Sequence, residues 1–223
     1  MLRLLLSATL FCMLSTAQAA ITLGATRVIY QGDKKEASIA LNNSDPARPY
    51  LVQSWITTMN GDKTGSPFII TPPLFKLEPN TENRVRIAYV KPILPTDRES
   101  LYELNINAIP AVEKSEASRI LIATKNVVKL IYRPAGLSSP DALSAYEKLT
   151  ITKRPGVLVM NNPTPFYITI GVFSVDGKEM KRVGFVPPFG NKEVNGIAGN
   201  PRSVSLKAIN DYGGLTAERR FSL

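Results

Sequence analysis

Short runs in which every second side chain is apolar constrain the fold of this chain more than any other feature. The runs are separated by Gly, Pro, Asn and Asp, residues that favour turns. Successive side chains of a β-strand point to opposite faces, so this period of two predicts strands with one buried face. The chain is therefore predicted to be nearly all β.

The runs fall into two groups, and 223 residues suit two ordinary domains. The first group contains about seven strands, the number typical of an immunoglobulin-like sandwich. Its predicted strands are 21–30, 36–42, 50–58, 67–77, 83–90, 101–109 and 119–132. A second group follows at 148–153, 156–162, 166–175, 192–197, 204–210 and 216–223. The segment "RPAGLSSP" at 133–140 separates them, which predicts β-sandwich domains at 20–136 and 137–223 with a hinge between them.

Residues 1–19 are typical of a secretory signal peptide. An early arginine precedes an apolar run at 4–14, and the small-residue sequence Ala17-Gln18-Ala19 ends the segment. The run is shorter than the roughly 20 apolar residues that span a bilayer, so we expect export without membrane insertion. The single cysteine, Cys12, lies inside this segment, and the exported chain is expected to contain no disulfide.

The residue types that are missing exclude several classes of function. The chain contains no histidine, and no cysteine follows the predicted signal peptide, which excludes His- and Cys-dependent nucleophiles and zinc sites. Phosphate-binding, dinucleotide-binding and calcium-binding loop patterns are also missing. We therefore predict no catalytic residues, no metal and no cofactor. Glu99, Glu103 and Glu113 leave a glycosidase-like carboxylate pair as an alternative, although salt bridges are a far commoner use of such residues.

The chain is basic, with a net charge of +9 at pH 7, or +8 once Arg3 is removed with the signal peptide. A positive charge suits nucleic acid, an anionic membrane surface or a protein partner that presents carboxylates. Export and the scattered placement of the lysines and arginines, without interleaved aromatics, argue against nucleic acid. Most of these cations are explained by an ordinary solvated surface.

Residues 94–111, "LPTDRESLYELNINAIPA", resemble the signature of the periplasmic pilus-assembly chaperones of the PapD-like family. Similar stretches are "LGATRVIY" at 23–30, "RPYLVQSW" at 48–55, "PPLFKLEP" at 72–79, "KLIYRP" at 129–134 and "INDYGG" at 209–214. The resemblance covers both predicted domains. It implies two immunoglobulin-like domains set at an angle around a cleft, an architecture of which PapD is itself an example. It also implies a periplasmic chaperone that binds, folds and caps fimbrial subunits and delivers them to an outer-membrane usher.

A single lysine, Lys129, interrupts the apolar run "NVVKLIYRP" at 126–134. From the strand alone, it is explained as a charge on a sheet edge or as a stem that lies on apolar surface with its ammonium in water. The resemblance implies another role, in which this lysine and the arginine of "ATR", Arg27, hold the carboxylate at the end of a pilus subunit. Charge-assisted hydrogen bonds of roughly 1.5–3 kcal/mol each suit that task.

The resemblance further implies that the strand before Lys129 completes the unfinished sandwich of a subunit, a known example of β-strand addition. Its donor residues are Ile120, Ile122 and Thr124, of which Thr124 is smaller than the aliphatic residue common in the family. In an unbroken strand these three lie on the face opposite to Lys129, so we expect a bulge or twist between them. The residues leave open whether the free protein shields this edge by self-association.

Two further features are interpreted through the resemblance. Glu99, Arg133 and Asp211 match the family positions of an interdomain salt-bridge network, which is expected to set the angle of the cleft rather than to add much stability. The loop at about 112–118 is short, and with the missing cysteines it resembles the short-loop branch of the family, which is associated with rod-like pili.

Two alternative functions remain open at this point. In the first alternative, the chain is an exported pilus subunit or adhesion module. Such subunits are usually single incomplete domains, often with a disulfide. In the second it is an exported glycosidase or a lectin-like protein. The single tryptophan, Trp55, offers little aromatic surface for sugars, and its place in "LVQSW" favours a core position.

Overall fold

The computed structural model of the protein describes residues 21–64, 66–111 and 121–223. Two β-sandwich domains occupy this part of the chain, which confirms the predicted fold class. The predicted signal peptide at 1–19, the short loop at 112–118 and the donor residue Ile120 lie outside the described residues. None of the helices within those ranges is long and apolar enough to cross a membrane.

The first domain consists of two sheets that pack face to face. Its strands are β1 (Ile21–Leu23), β2 (Arg27–Gln31), β3 (Ala37–Asn43), β4 (Tyr50–Thr58), β5 (Phe68–Thr71), β6 (Leu74–Leu77), β7 (Thr81–Tyr89), β8 (Ser100–Pro110) and β9 (Thr124–Arg133). The order of strands is β1-β3-β7-β5 in one sheet and β2-β9-β8-β4-β6 in the other. The second of these sheets carries Arg27, Lys129 and Arg133, three of the residues singled out in the sequence analysis.

Two of the predicted strands are each divided between the two sheets. The run 21–30 leaves the first sheet after Leu23 and enters the second at Arg27. The run 67–77 changes sheets at the prolines 72–73, which cannot donate a backbone hydrogen bond to a ladder. Turn-favouring residues mark both changes, Gly24 in the first run and the two prolines in the second, but the sequence analysis treated each run as one strand. The first change places Arg27 at the beginning of β2, beside β9.

The core of the first domain is built from alternate residues of the facing strands. Leu41, Val52, Val85, Leu104 and Leu130 are all fully buried there. One end of the core is aromatic, with contacting ring centroids 4.7 to 6.4 Å apart among Tyr30, Phe68, Tyr89, Tyr102 and Tyr132. This rigid packing holds the last residues of β9 next to the second domain.

The second domain begins with a short helix that the sequence analysis missed within its predicted hinge. Ser138 caps helix α1 (Ser139–Ser144) by accepting a hydrogen bond from the amide of Asp141, and Pro140 occupies the first turn, where its missing N–H costs nothing. Six residues are too few for a helical period to be visible in the sequence. A 3-10 helix (Ala145–Lys148) follows directly.

Eight further strands complete the second sandwich within the described ranges. They are β10 (Thr150–Arg154), β11 (Val157–Asn162), β12 (Ile168–Val175), β13 (Lys178–Glu179), β14 (Phe185–Val186), β15 (Gly190–Asn195), β16 (Ser203–Ile209) and β17 (Arg219–Ser222). One sheet has the order β10-β11-β15 and the other β13-β12-β16-β17, with β14 paired to β12. The two-residue strands β13 and β14 were not predicted, because they are too short to alternate.

Replacing Leu104 by alanine tests the importance of the first core. Leu104 is fully buried, so Leu104→Ala is expected to lower the free energy of unfolding by about 2–5 kcal/mol through lost burial and the cavity left behind. Leu74→Ala is the matched control, because Leu74 is 54% exposed, and it is expected to change the free energy by about 0.5 kcal/mol or less. Urea denaturation measures both. Equal effects of the two substitutions would contradict this assignment of the core.

Candidate functional site

Half of strand β9 has a free edge in the described part of the chain. β2 runs parallel to β9 only from Arg27, opposite Lys129, to Gln31, opposite Arg133. The residues 124–128 are paired with β8 on one side, and no strand among the described residues pairs with their other side. Such an edge presents unpaired backbone N–H and C=O groups that another chain can pair with.

Apolar side chains precede this free edge. Leu121 is 52% exposed and Ile122 is 73% exposed, and both lie just before the first residue of β9. Val127, within the free edge, is also exposed. Exposed apolar side chains next to an open backbone edge are the combination that β-strand addition requires.

The bulge that we expected between the donor residues and Lys129 is not present. The pairing of β8 with β9 runs from Ala108, opposite Thr124, to Ser100, opposite Tyr132, without a shift in register. Thr124 therefore shares the core-facing side of β9 with buried Val128. The expectation of a bulge between Thr124 and Lys129 was wrong, because it assumed that donor residues and lysine need one face.

Arg27 and Lys129 lie side by side. They are direct partners in the parallel pairing of β2 with β9. Partners in register project from the same face of a sheet, and neighbouring strands are about 4.8 Å apart. Both side chains therefore leave the outer face of the five-stranded sheet, on the side away from the core of the first domain.

Arg27 is largely buried between the two domains, with 9% of its surface exposed. Its Nη1 donates a hydrogen bond of 3.2 Å to the backbone carbonyl of Ile209 in the second domain. Its Nε is buried and has no hydrogen-bond partner among the described residues. Burial lowers the pKa of Arg27, and the charge of Asp211 opposes that shift. An unpaired donor on a buried cation is costly, so the group favours an incoming acceptor.

Lys129 is partly buried and is already paired. Its Nζ lies 2.9 Å from Oε1 of Glu103 and 3.9 Å from Sδ of Met59. Glu103 lies on the adjacent strand β8, directly opposite Lys129. The side chains of Lys129 and Glu103 are 32% and 25% exposed. At this residue β9 has a strand on both sides, so the explanation of Lys129 as a sheet-edge charge is wrong.

Arg133 connects the two domains through carboxylates on each side. Its Nε donates to Oε1 of Glu99 at 2.7 Å, and its Nη1 and Nη2 donate to both carboxylate oxygens of Asp211 at 2.8 and 3.0 Å. The second oxygen of Glu99 accepts the backbone N–H of Tyr167 at 2.7 Å. The structure thus joins the three residues that the sequence analysis grouped, and it adds Tyr167 and Ser139, whose Oγ lies 3.2 Å from Nη1.

The pKa values in this network follow from burial and charge. Burial raises the pKa of Glu99, although the charge of Arg133 and the N–H of Tyr167 oppose the shift. For Arg133, burial favours the neutral form, but the hydrogen bonds to Asp211 and the charge of Glu99 outweigh it and raise its pKa. The guanidinium therefore stays charged while fully enclosed.

The turn that carries Asp211 packs tightly against the first domain. Gly213 in this turn has a φ of +86°, and a Cβ atom there would collide with Oγ1 of Thr26, the residue before Arg27. Only glycine suits both the left-handed conformation and the close approach. The salt-bridge network and the cation pair are therefore supported by the same contact between domains.

Two other residues differ from the sequence analysis. Trp55 was expected in the core, but it lies half-buried on the outer face of the sheet, with Nζ of Lys63 and of Lys125 at 4.7 and 5.2 Å from its ring centroid. Of the carboxylates considered for glycosidase chemistry, Glu99 and Glu103 each form a salt bridge, and Glu113 lies outside the described residues. The sequence analysis missed the pairing of Glu103, because it depends on strand register.

The chain is similar to known proteins over most of its length. The chain matches the family profiles "Pili and flagellar-assembly chaperone, PapD N-terminal domain" over residues 20–138 and "Pili assembly chaperone PapD, C-terminal domain" over residues 144–220. It is 41% identical over 212 residues to the probable fimbrial chaperone LpfB of Escherichia coli O157:H7, covering 93% of this chain and 90% of LpfB. It is 39% identical over 203 residues to the chaperone protein FimC of Escherichia coli K12, covering 90% of this chain and 83% of FimC.

Solved structures of chaperones also match this chain along most of its length. A complex of the Salmonella enterica SafA pilin with the SafB chaperone contains a chain that matches with a TM-score of 0.81 at 31% identity, over 94% of this chain and 99% of that chain. The periplasmic chaperone SfaE matches with a TM-score of 0.77 at 38% identity, over 91% of this chain and all of that chain, 100%.

The Arg133 network predicts a strongly asymmetric response to substitution. Arg133→Met leaves Glu99 buried without its cation and is expected to lower the free energy of unfolding by about 3–5 kcal/mol. Adding Glu99→Gln removes the more deeply buried of the two carboxylates that lose their cation and keeps an acceptor for Tyr167. Asp211, 19% exposed, stays charged without Arg133, so the double variant is expected to recover part of the loss. Urea denaturation provides the comparison. A double variant as unstable as Arg133→Met would show that the buried charge is not the cause.

Proposed function

This chain belongs to the PapD-like family of pilus-assembly chaperones, and from that premise we propose which of its residues capture a subunit. The protein is a fimbrial chaperone of the periplasm that acts in pilus assembly, with fimbrial subunits as its clients and an outer-membrane usher as the recipient. The family acts as chaperones and is not known for enzymatic activity. Export through a cleaved signal peptide at residues 1–19 is part of the proposal.

The free edge of β9 supplies the main-chain half of the capture mechanism. A fimbrial subunit that lacks its last strand exposes an apolar groove and unpaired backbone groups, and chaperone–pilin complexes are an established case of β-strand addition. Residues 124–128 offer an open ladder to such a subunit, because β2 begins only opposite Lys129. Backbone pairing is independent of side chains, so it provides affinity for subunits of different sequence.

The side-chain half comes from the donor residues Ile120, Ile122 and Thr124. The unshifted register of β9 supports this assignment, because Thr124 lies on the same face as buried Val128 and Leu130. A chain that stays extended before Thr124 would carry its even-numbered side chains on that face. The apolar face of β9 thus continues past the core of the chaperone and can enter the core of the subunit. Burying two isoleucines contributes roughly 3–6 kcal/mol before ordering costs, and Thr124 adds less.

Arg27 and Lys129 anchor the carboxylate at the end of the subunit. The observation that carries this proposal is the buried Nε of Arg27, which has no partner among the described residues and lies on the strand next to Lys129. Two cations fixed on neighbouring strands hold one carboxylate without moving the backbone. Because a polypeptide has one such end, the anchor also sets the register of the strand that pairs with β9, and a slip of one residue would reverse its faces.

The network of Glu99, Arg133 and Asp211 fixes the angle between the domains and does not contact the subunit. Arg133 is 1% exposed, which leaves no surface for a partner. The same domain contact holds Arg27 through the carbonyl of Ile209, so the angle between the domains also determines the position of the anchor.

Combined removal of the anchoring cations tests the proposed function. Co-expression of the chaperone with the fimbrial subunit encoded beside it is expected to give a soluble one-to-one complex. Arg27→Ala with Lys129→Ala is expected to abolish that complex, since two charge-assisted interactions of roughly 1.5–3 kcal/mol each are lost. Lys76→Ala with Arg84→Ala is the matched control, because it removes two exposed cations elsewhere. Co-purification measures the outcome, circular dichroism verifies the fold, and an intact complex from the first double variant contradicts the anchor.

The donor register makes a separate prediction from two adjacent residues. Ile122→Ser is expected to weaken subunit binding by about tenfold to a hundredfold, because Ile122 enters the groove of the subunit. Leu121→Ser is the control, since Leu121 is also exposed but points to the opposite face of an extended chain. Thr124→Ile should strengthen binding by adding apolar surface. Titration of purified subunit measures the three affinities, and a larger loss for Leu121→Ser would reverse the assigned register.

A further inference from the structure

Glu103 is a negatively charged residue at the center of a site that we assign to binding a negative group. It lies directly across from Lys129 on β8, and its Oε1 is 2.9 Å from Nζ of Lys129. No part of the subunit-binding mechanism described above requires a carboxylate at this position. The pair is only partly buried, so it contributes little to the stability of the fold.

The ion pair changes the charge that an incoming carboxylate meets. Arg27 and Lys129 bring two positive charges to the outer face of the sheet, and Glu103 cancels one of them. An ammonium group has three N–H donors. Glu103 accepts one of them, and the sulfur of Met59 at 3.9 Å lies near the group as a weak acceptor. Lys129 therefore retains donor capacity for a second carboxylate, but that carboxylate must approach a like charge.

The position of Glu103 allows it to compete with an incoming carboxylate for Lys129 without blocking access to the lysine. Its side chain is 25% exposed, so it can turn toward solvent when another carboxylate binds to Lys129. Arg27 has no carboxylate within hydrogen-bond distance in the described residues, and its Nε is buried without a hydrogen-bond partner there. The two cations of the proposed anchor thus differ in the free protein. Lys129 is paired with a carboxylate, whereas Arg27 donates only to a backbone carbonyl.

We propose that Glu103 competes with the subunit carboxylate for Lys129. Glu103 pairs with Lys129 in the free chaperone, and its charge weakens the binding of the subunit carboxylate. This inference rests on the proposed carboxylate anchor and adds a specificity-determining residue to it. Like charges close together in a partly dry site repel, so the bound carboxylate is held less tightly than two unopposed cations would hold it. A chaperone that must later hand over its client benefits from an anchor of limited strength.

The test uses a synthetic peptide with the sequence of the C-terminal strand of the fimbrial subunit encoded beside the chaperone. The peptide is made with a free C-terminal carboxylate and, separately, with a C-terminal amide. Binding to the full-length chaperone is measured by calorimetry for the wild type, Glu103→Gln and Glu103→Asp. The control is Glu82→Gln, which makes the same change in charge at an exposed residue of β7 in the other sheet.

Glu103→Gln is expected to bind the carboxylate peptide about three- to tenfold more tightly than the wild type. Its affinity for the amide peptide is expected to stay unchanged, because the amide carries no charge to repel. Glu103→Asp, which retains the charge, and Glu82→Gln are expected to bind both peptides as the wild type does. A structural role of Glu103 would not produce an effect limited to the carboxylate peptide.

The remaining outcomes separate the two proposals. Equal or weaker binding of the carboxylate peptide by Glu103→Gln overturns the competitor role, provided that the wild type prefers the carboxylate over the amide. If the wild type binds both peptides equally, the carboxylate anchor itself fails and the competitor role fails with it. An equal gain for both peptides also overturns the inference, because it assigns the effect to packing or edge pairing instead of charge.

Discussion

The limited length of the pairing between β2 and β9 is the constraint on which the rest of the site depends. The two strands run parallel for five residues, from the pair Arg27 and Lys129 to the pair Gln31 and Arg133. Where this pairing begins, it brings together two cations from distant parts of the sequence. Before it begins, β9 has an open edge among the described residues, so the proposed anchor lies at the boundary between the paired and the free half of one strand. The site is thus a product of where a strand starts, and the break after Leu23 sets that start.

The three functional cations differ in how completely their charges are compensated. Arg133 is enclosed and bonded to both Glu99 and Asp211, which suits a residue that fixes the arrangement of domains. Lys129 shares its charge with Glu103, whereas Arg27 donates only to a backbone carbonyl. Buried charges without a counterion are costly, so the least compensated cation is the one best suited to an external carboxylate. The order of compensation therefore agrees with the structural role proposed for Arg133 and the binding role proposed for Arg27.

The sequence allowed prediction of the elements with clear alternation and clear ends. The strand predicted at 83–90 corresponds to β7, because apolar and charged side chains alternate along the middle of it. The changes of sheet near Gly24 and at Pro72 were not predicted, since local patterns do not specify a sheet partner. The family resemblance suggested Arg27 and Lys129, but the pairing of Glu103 with Lys129 depends on the register of β8 and β9. That register is a property of the tertiary structure, and it also corrected the expectation of a bulge.

The hydrogen bond from Arg27 to the carbonyl of Ile209 gives one side chain two duties, since the strand that bears it belongs to the first domain and the acceptor to the second. Any molecule that binds this guanidinium therefore contacts a side chain that links the two domains. A shift of the second domain would displace this acceptor, so the hold on a carboxylate bound at Arg27 would depend on the contact between the domains.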